Sequence, residues 1–484
     1  MPISEPVSAP EVETAPSFAD FGLPTAVVAA MAANGIESAF PIQAATLPDS
    51  LAGRDVLGRG RTGSGKTYAF LLPVVARLAS STTPRQAGRP RALILAPTRE
   101  LASQIEASLA PLAKAMNLRS VTIFGGVGPG PQIAKLREGV DIVIACPGRL
   151  EDHVQSRHAD LSAVEITVLD EADHMADLGF LPPVKRLMDK TPKDGQRMLF
   201  SATLDGGVDV LIKRYLHNPV VHSVDSEQSP VSAMVHHVLH VDNAARFDVL
   251  TDLAAAPGRT IMFSRTKHGA KGLARKLNSR GVPAVELHGN LSQNARTRNL
   301  AAFSDGSAAV LVATDIAARG IHVDDVSLVI HADPPVEHKA YLHRSGRTAR
   351  AGNEGTVVTL MIDSQVSDVR TLTRKAGVKP TITRFSGASH PVLLEIAPGE
   401  RTFGEPLVLD VPASQPSSSR QRSHGGGGGR SSSPNPRSGS GSRGGNGNGS
   451  RAGGSRSRGG ELRSYSTSST PSSRTGGSRG SRSR

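Results

Sequence analysis

The sequence predicts an α/β protein: two successive parallel-sheet units followed by a low-complexity basic tail. Three observations carry that prediction. Short apolar runs, most of them β-branched, alternate with helical stretches; the pattern restarts after a polar interval; and composition changes abruptly near residue 411. Near-continuous apolar strands separated by amphipathic segments indicate a parallel sheet covered on both faces.

Residues 1–17 are acidic and rich in Pro and Ala, and read as a disordered lead. The first unit, 18–221, carries the runs Ala92-Leu93-Ile94-Leu95, Val121-Thr122-Ile123, Ile142-Val143-Ile144 and Ile166-Thr167-Val168-Leu169. A linker is expected at 222–235, around the polar stretch Asp225 to Pro230. The second unit, 236–381, supplies Ile261-Met262-Phe263, Ala309-Val310-Leu311-Val312 and Leu328-Val329-Ile330. Each unit has the length of a full domain. Residues 382–410 read as a C-terminal extension. In 411–484, Gly (18), Ser (23) and Arg (13) fill 54 of 74 positions. That leaves too few apolar groups to outweigh chain entropy, so a disordered tail is expected.

The chain of 484 residues has a formal charge of +13, placed very unevenly. The tail holds 13 Arg against one acid, Glu461, while residues 1–410 hold 43 basic and 42 acidic side chains. A uniformly basic protein is excluded; a near-neutral body with a cationic tail remains. A single cysteine, Cys146, excludes an intramolecular disulfide or a cysteine zinc cluster and fits a reducing compartment. The N-terminus lacks the basic and apolar regions of a signal peptide, and no apolar run reaches the roughly 18 residues of a membrane helix. A cytoplasmic protein with no membrane partner is expected.

Gly60-Arg61-Thr62-Gly63-Ser64-Gly65-Lys66-Thr67 matches the Walker A pattern. It follows an apolar strand, Asp55 to Gly58, and opens a helical run from Tyr68 to Leu78. Glycines let backbone N–H groups close around phosphates at a helix N-terminus; Lys66 reaches the β and γ phosphates and Thr67 binds Mg²⁺. A Gly-rich turn without that role would not need this strand–loop–helix setting. About a hundred residues on, Asp170-Glu171-Ala172-Asp173 follows a buried strand. Alone, such a cluster is more often a helix cap. Behind a Walker A, Asp170 is a candidate Mg²⁺ holder and Glu171 a candidate to orient or deprotonate the attacking water. The segment His343-Arg344-Ser345-Gly346-Arg347-Thr348-Ala349-Arg350 spaces arginines three apart, on one helical face if helical. They read either as a solvated basic helix end or as arginine fingers for ATP in a cleft between the units.

Together these motifs resemble a DEAD-box ATP-dependent RNA helicase over roughly Phe18 to Thr381. The resemblance implies two tandem RecA-like parallel-sheet domains with an ATP/RNA interdomain cleft, plus the disordered C-terminal tail. It implies ATP-dependent RNA binding, largely independent of sequence, and local duplex unwinding, with ATP and Mg²⁺ as cofactors. The catalytic set would be Lys66, Asp170, Glu171, Arg347 and Arg350. Nucleotide contacts would come from Phe18, Gln43 (reading the adenine edge), Thr62, Gly63, Ser64, Gly65, Lys66, Thr67, Asp170 and Gly320, with Thr67 and Asp170 at the metal. RNA contacts would come from Pro97, Thr98, Arg99, Gly126, Gly148, Arg149, Gln293, Arg296 and Thr314. Ser201, Ala202, Thr203 and His343 would couple hydrolysis to unwinding. The expected partner is structured or duplex-containing RNA, with ribosomal and mRNA complexes both fitting.

Several positions depart from the family pattern. Ile36 stands where an aromatic is usual, Ala39 where Pro is frequent, Cys146 for Thr, His322 for Asp and Ala349 for Gly. None of these removes a phosphate or Mg²⁺ group. Two other readings stay open at this level: a DNA-directed helicase on the same scaffold, and an RNA chaperone that anneals strands through its tail. The tail itself is either a plain flexible extension or a salt-sensitive RNA tether.

Overall fold

The computed structural model describes residues 15–60, 63–204, 206–224, 234–318, 320–321, 323, 325–349 and 354–407. The expected lead up to residue 14 and the tail from 411 lie outside the described residues. So do Thr62, Arg319, His322 and Arg350. The first sheet contains β1 (Val56–Arg59), β2 (Ala92–Leu95), β3 (Ser120–Ile123), β4 (Ile142–Ala145), β5 (Ile166–Leu169), β6 (Gln196–Ser201) and β7 (Val220–Ser223). The second contains β8 (Met234–Val241), β9 (Arg259–Phe263), β10 (Ala284–Leu287), β11 (Val310–Ala313), β12 (Val326–His331), β13 (Gly355–Met361) and β14 (Thr381–Phe385). Every pairing in both is parallel.

The strand orders are β3-β4-β2-β5-β6-β1-β7 and β10-β11-β9-β12-β13-β8-β14, the same topology used twice. Strand side chains alternate between two apolar layers, which explains the unbroken apolar runs. Ala92, Ile94, Ile142, Ile144, Ile166 and Val168 enter one core of the first sheet. Leu93, Leu95, Val143, Ala145 and Leu169, one residue out of phase, enter the other. The second sheet repeats the device, with Met262, Val310, Val312 and Ile330 on one face and Ile261, Phe263, Leu311 and Val329 on the other. Both sheets belong to one compact unit, Met1–Val411.

Four expected boundaries shift, the second sheet already starting at Met234 rather than 236. Order begins before residue 18: Ser17 pairs with Ser38 and caps a short turn through Ala19 N–H, and Pro16 accepts a hydrogen bond from Ala39 N–H. The first sheet runs past 221, because β7 extends to Ser223 beside β1. The second domain does not stop at 381. β14 continues to Phe385 against β8, and Val392, Leu393 and Ile396 of the helix Val392–Ile396 fill its core. Short edge strands carry few apolar residues, so their pattern in the sequence is faint.

A pH effect follows from the second core. His236 Nδ1 lies 3.0 Å from Tyr341 Oη, and the His331 ring meets the same tyrosine edge-on at 4.8 Å. Burial, aided by His237, pushes the His236 imidazole down to about 4, and burial holds fully enclosed His331 well below its ordinary value. The unfolded chain therefore binds more protons between about pH 4 and 6.5, so stability falls on acidification through that window. His236 alone accounts for a loss of about 2 kcal/mol at pH 5. Thermal melts at neutral pH and pH 5 check this: His236→Asn is expected to flatten the dependence, and an unchanged profile would refute it.

Candidate functional site

In an open parallel sheet, ligands bind beyond the carboxyl ends of the strands. Three neighbouring strands, β1, β6 and β5, end here on the candidate nucleotide residues. The loop after β1 leads into the helix Lys66–Ser80, whose N-cap is Gly65 at φ 90°. A Cβ at Gly65 would lie 2.7 Å from Gln43 Nε2 and 3.0 Å from Phe40 Cδ2, so both the backbone angle and the crowding demand glycine. Lys66 is buried and donates to the Gly60 carbonyl. Ser64 Oγ is buried with no hydrogen-bond partner, a donor suited to an anion.

The acidic cluster after β5 is organised by its neighbours. Asp170 is buried and accepts from Glu171 N–H at 3.0 Å. Burial and then the Glu171 charge raise its carboxyl to about 7, only partly offset by Lys66. Burial would raise Glu171 as well, but the His174 hydrogen bond and the charges of His174, Arg347 and Lys66 overcome it and hold Glu171 near 2. His174 Nδ1 sits 3.0 Å from Glu171 Oε2. Glu171 itself has φ 50°, a left-handed conformation that costs a non-glycine residue about 1–3 kcal/mol and is typical of functional positions. His174 was not a candidate from the sequence; its place directly after the acidic cluster was the available signal.

Asp173 joins this cluster to the end of β6. Its Oδ2 accepts from both the Thr203 N–H at 2.9 Å and the Thr203 hydroxyl at 3.0 Å. Asp173 N–H donates to Ser201 Oγ at 3.2 Å, and Ser201 Oγ donates to the Thr203 carbonyl at 2.8 Å. The Ser201-Ala202-Thr203 segment is thus fastened to Asp173, two residues from Glu171.

From the second sheet, Gly320, His343 and Arg347 line a small cavity with Lys66, Glu171, Asp173, His174 and Ala202. Arg347 donates to the Ile321 carbonyl at 2.7 Å. Arg344 and Arg347 do not share a helical face as expected. The helix His338–Ser345 is capped by Gly346, so Arg347 emerges from the turn beyond it. Arg344 is buried over the Phe263 ring and is spent on Asp315 and the Asp333 carbonyl.

A larger cavity of about 510 Å³ adjoins the Walker loop, lined among others by Ile36, Phe40, Gln43, Tyr68, Asp170 and Gly320. Two expectations change here. Phe18 is 1% exposed and packs in the first core, out of reach of a nucleotide. The Gln43 amide accepts from Phe40 N–H at 2.9 Å and donates to the Gly65 carbonyl at 2.8 Å, tying this turn to the phosphate loop. Two aromatics line the cavity, Phe40 and Tyr68, and Phe40 is 49% exposed beside Gly65. An apolar ring just before the helix-opening Pro41 was its sequence signal.

The candidate nucleic-acid residues fall into two sets. Arg99, Gly126 and Arg149 cluster in the first sheet's loops: Gly126 lies beneath the Arg99 guanidinium, and Arg149 donates to the Val127 carbonyl at 3.1 Å. Pro97 is buried at the start of this segment and Thr98 caps the helix Arg99–Ala115 through Leu101 N–H. Gly148 is exposed in the first turn of the helix Pro147–Gln155. Cys146 caps that helix without a side-chain bond, and burial, then Glu100, push its thiol up to about 12.

The second set bridges the two sheets. Arg296 donates to Glu100 Oε1 at 2.7 Å, and Gln293 links the same oxygen at 3.3 Å to Arg99 at 3.0 Å. Glu100 and Arg296 are each 8% exposed, and Arg296 gives two further N–H groups to the His288 and Ala317 carbonyls. Three of its five N–H groups thus close an inter-sheet clasp. Glu100 belongs to the motif Pro97-Thr98-Arg99-Glu100-Leu101 but was not among the candidate site residues, because its partner Arg296 is distant in the chain. Thr314 N–H donates to the Leu287 carbonyl, which sets it at the end of β11 nearby.

Known proteins share this arrangement. The ATP-dependent RNA helicase RhlB of Erwinia tasmaniensis is 38% identical over 394 residues, covering 80% of this chain and 91% of that protein. This chain belongs to the DEAD-box ATP-dependent RNA helicases. Within the helicase, the DEAD/DEAH box helicase model matches residues 40–210 and the helicase conserved C-terminal domain model matches 245–352, one on each sheet. Mitochondrial DEAD-box ATP-dependent RNA helicase 9 of Arabidopsis thaliana is 37% identical, covering 75% of this helicase but only 60% of that longer protein. Among solved structures, S. cerevisiae Dbp5 bound to RNA and ADP BeF3 superposes with a TM-score of 0.67 at 29% identity, covering 76% of this helicase and 95% of that chain. Mss116p bound to ssRNA and AMP-PNP reaches 0.69 at 26% identity, covering 81% and 85%.

Proposed function

We propose that this helicase binds ATP between its two sheets, uses RNA and ATP together to hold the cleft shut, and reopens it on hydrolysis. The observation that carries the reading is the small cavity in which Lys66 and Glu171 of the first sheet meet Arg347 of the second. Such a site is complete only while the sheets are together. Lys66 and the loop N–H groups would hold the phosphates, Glu171 would orient the attacking water, and Arg347 would balance charge developing on the γ-phosphoryl group. His174 positions Glu171 by its 3.0 Å contact.

Mg²⁺ fits the residues present. Asp170, raised by burial and then by Glu171, offers a carboxylate that Lys66 offsets only in part, and Thr67 lines the same cavity. Among the described residues no group of three acidic, His or Cys side chains is arranged to hold a metal alone. Mg²⁺ suits two protein ligands because it keeps waters and takes phosphate oxygens; when bound, it would neutralise phosphate charge.

RNA would cross the Arg99–Gly126–Arg149 loops, where guanidinium and backbone groups favour phosphate over base contacts and so little sequence preference. Asp173, holding Thr203 beside Glu171, links the state of the phosphates to the position of this sheet's loops. The Arg-rich segment 411–484 would act as a salt-sensitive tether that raises local RNA concentration. Among the described residues no helix is long and apolar enough to cross a membrane, and we place this activity in the cytoplasm.

The test is ATP turnover by the full chain with RNA or DNA added, beside strand separation of a short RNA duplex. RNA is expected to stimulate turnover strongly, DNA weakly, and Lys66→Ala to abolish both turnover and separation. Equal stimulation by DNA would favour the DNA-directed reading, and annealing without turnover would favour the chaperone. A second expectation concerns Phe40. With its ring stacked on the base in place of the aromatic that Ile36 replaces, Phe40→Ala removes about 1–3 kcal/mol of stacking. KM for ATP should then rise roughly tenfold or more with kcat nearly unchanged; an unaltered KM would exclude the stacking role.

A further inference from the structure

The second sheet carries a basic stripe that none of the motifs uses. Residues 265–280 contain six Lys and Arg and no carboxylate. The helix Lys267–Ser279 within them buries Ala270, Ala274 and Leu277. Lys267, Lys271 and Arg275, four residues apart, form an exposed row along its side, each about 6 Å from the next along the axis. Two other cations are occupied: Lys276 and Arg280 lie over the Phe247 ring at 5.6 and 5.5 Å, and Arg280 also pairs with Asp248. Lys271 and Arg275 have no hydrogen bond or ion pair among the described residues.

Both ends of the row are placed by the fold. At its start Lys267 donates to Asn290 Oδ1 at 3.1 Å, in the loop that leads directly to Gln293 of the inter-sheet clasp. At its end a strap returns from the C-terminal segment. Thr402 N–H donates to the Ala255 carbonyl, Gly404 N–H to the Gly281 carbonyl, and Leu407 N–H to Asn278 Oδ1 at 3.3 Å. Arg401 secures the strap through Asp252 and the Leu393, Ala397 and Gly399 carbonyls. After Leu407 the chain runs on into its Arg-rich segment.

We infer that Lys267, Lys271 and Arg275 form a backbone-binding track that carries RNA from the cleft toward the base of the tail. A solvated basic helix would serve solubility equally well with acids interspersed. A row free of carboxylates, starting beside the clasp and ending where the strap leads into thirteen arginines, suits a polyanion lying along it. Glu400 and Glu405 lie on the strap, so the carboxylate-free stretch is the row itself. The track rests on the RNA-helicase reading and extends the RNA path beyond the cleft.

The test uses the full chain and two single-stranded RNAs: one just long enough to stimulate ATP turnover, and the same strand lengthened stepwise. Replacing Lys267, Lys271 and Arg275 together by Gln removes three phosphate contacts. The slope of log affinity against log salt for the longer strand should then fall by about 2. Affinity for the longer strand at low salt should drop tenfold or more, while the shorter strand and the KM for ATP are unaffected. Arg374→Gln with Lys375→Gln, on another helix, is expected to change neither strand. Equal loss for both strands, or equal effects of the two variants, would overturn the track while leaving the helicase reading intact. No stimulation of the wild type by either RNA would overturn that reading, and the track with it.

Discussion

Glu171→Gln is expected to lower RNA-stimulated ATP turnover by about two to four orders of magnitude, the usual contribution of a group that handles the attacking water's proton. The substitution keeps size and shape, so the left-handed backbone at φ 50° and the turn into the following helix have no steric reason to change. Its chemistry is informative because Glu171 is held near 2. It is therefore ionised at neutral pH and able to accept the attacking water's hydrogen bond and aim it. That agrees with phosphoryl transfer, in which positioning and charge outweigh covalent catalysis. The variant should still bind ATP and RNA and should retain them together, because closure precedes hydrolysis. Single-turnover hydrolysis beside an RNA-retention assay tests both halves. A normal kcat would remove Glu171 from the mechanism; a normal loss of kcat without retention would separate closure from nucleotide binding.

Glu100→Gln should be nearly as damaging for a different reason. The carboxylate faces Arg296 across the two sheets, both side chains are buried, and truncating one partner of such a pair costs about 3–5 kcal/mol. That cost falls on the closed arrangement alone, because separated sheets would return Arg296 to water. The closing equilibrium should therefore weaken by two to three orders of magnitude, read as a higher RNA concentration for half-maximal turnover and a lower energy-transfer signal between labels on the two domains. The melting temperature should barely move. Adding Arg296→Gln should recover part of the loss, since no unpaired charge is then buried. A variant that closes normally would show that the clasp is dispensable.

Gly320 belongs to the same closure. A Cβ there would come 2.3 Å from Thr98 Oγ1, so the two sheets approach through a position that tolerates no side chain. The motif residues Thr98 and Gly320, assigned from the sequence to RNA and nucleotide, meet each other here. Their types are explained by the approach of the sheets as well as by any ligand.

What the sequence determined by itself was local in origin. Apolar runs with residues bound for both layers dictated parallel strands covered on each face, and the glycines around Lys66 dictated a phosphate loop, because only glycine takes a φ near 90° at little cost. The uneven charge separated a neutral body from an Arg-rich segment on composition alone. Motif order then identified the family. What only the tertiary structure decided was which atom meets which. Phe18 and Phe40 are alike in composition, yet one is sealed in the core and the other faces the cavity. Arg296 reads as a phosphate ligand in the sequence, and the fold adds a partner in Glu100, nearly two hundred residues earlier. His174, Glu100 and the row along Lys267–Ser279 draw their meaning from partners far away in the chain. Sequence spacing records periodicity within an element; it holds no record of which elements the sheets bring face to face.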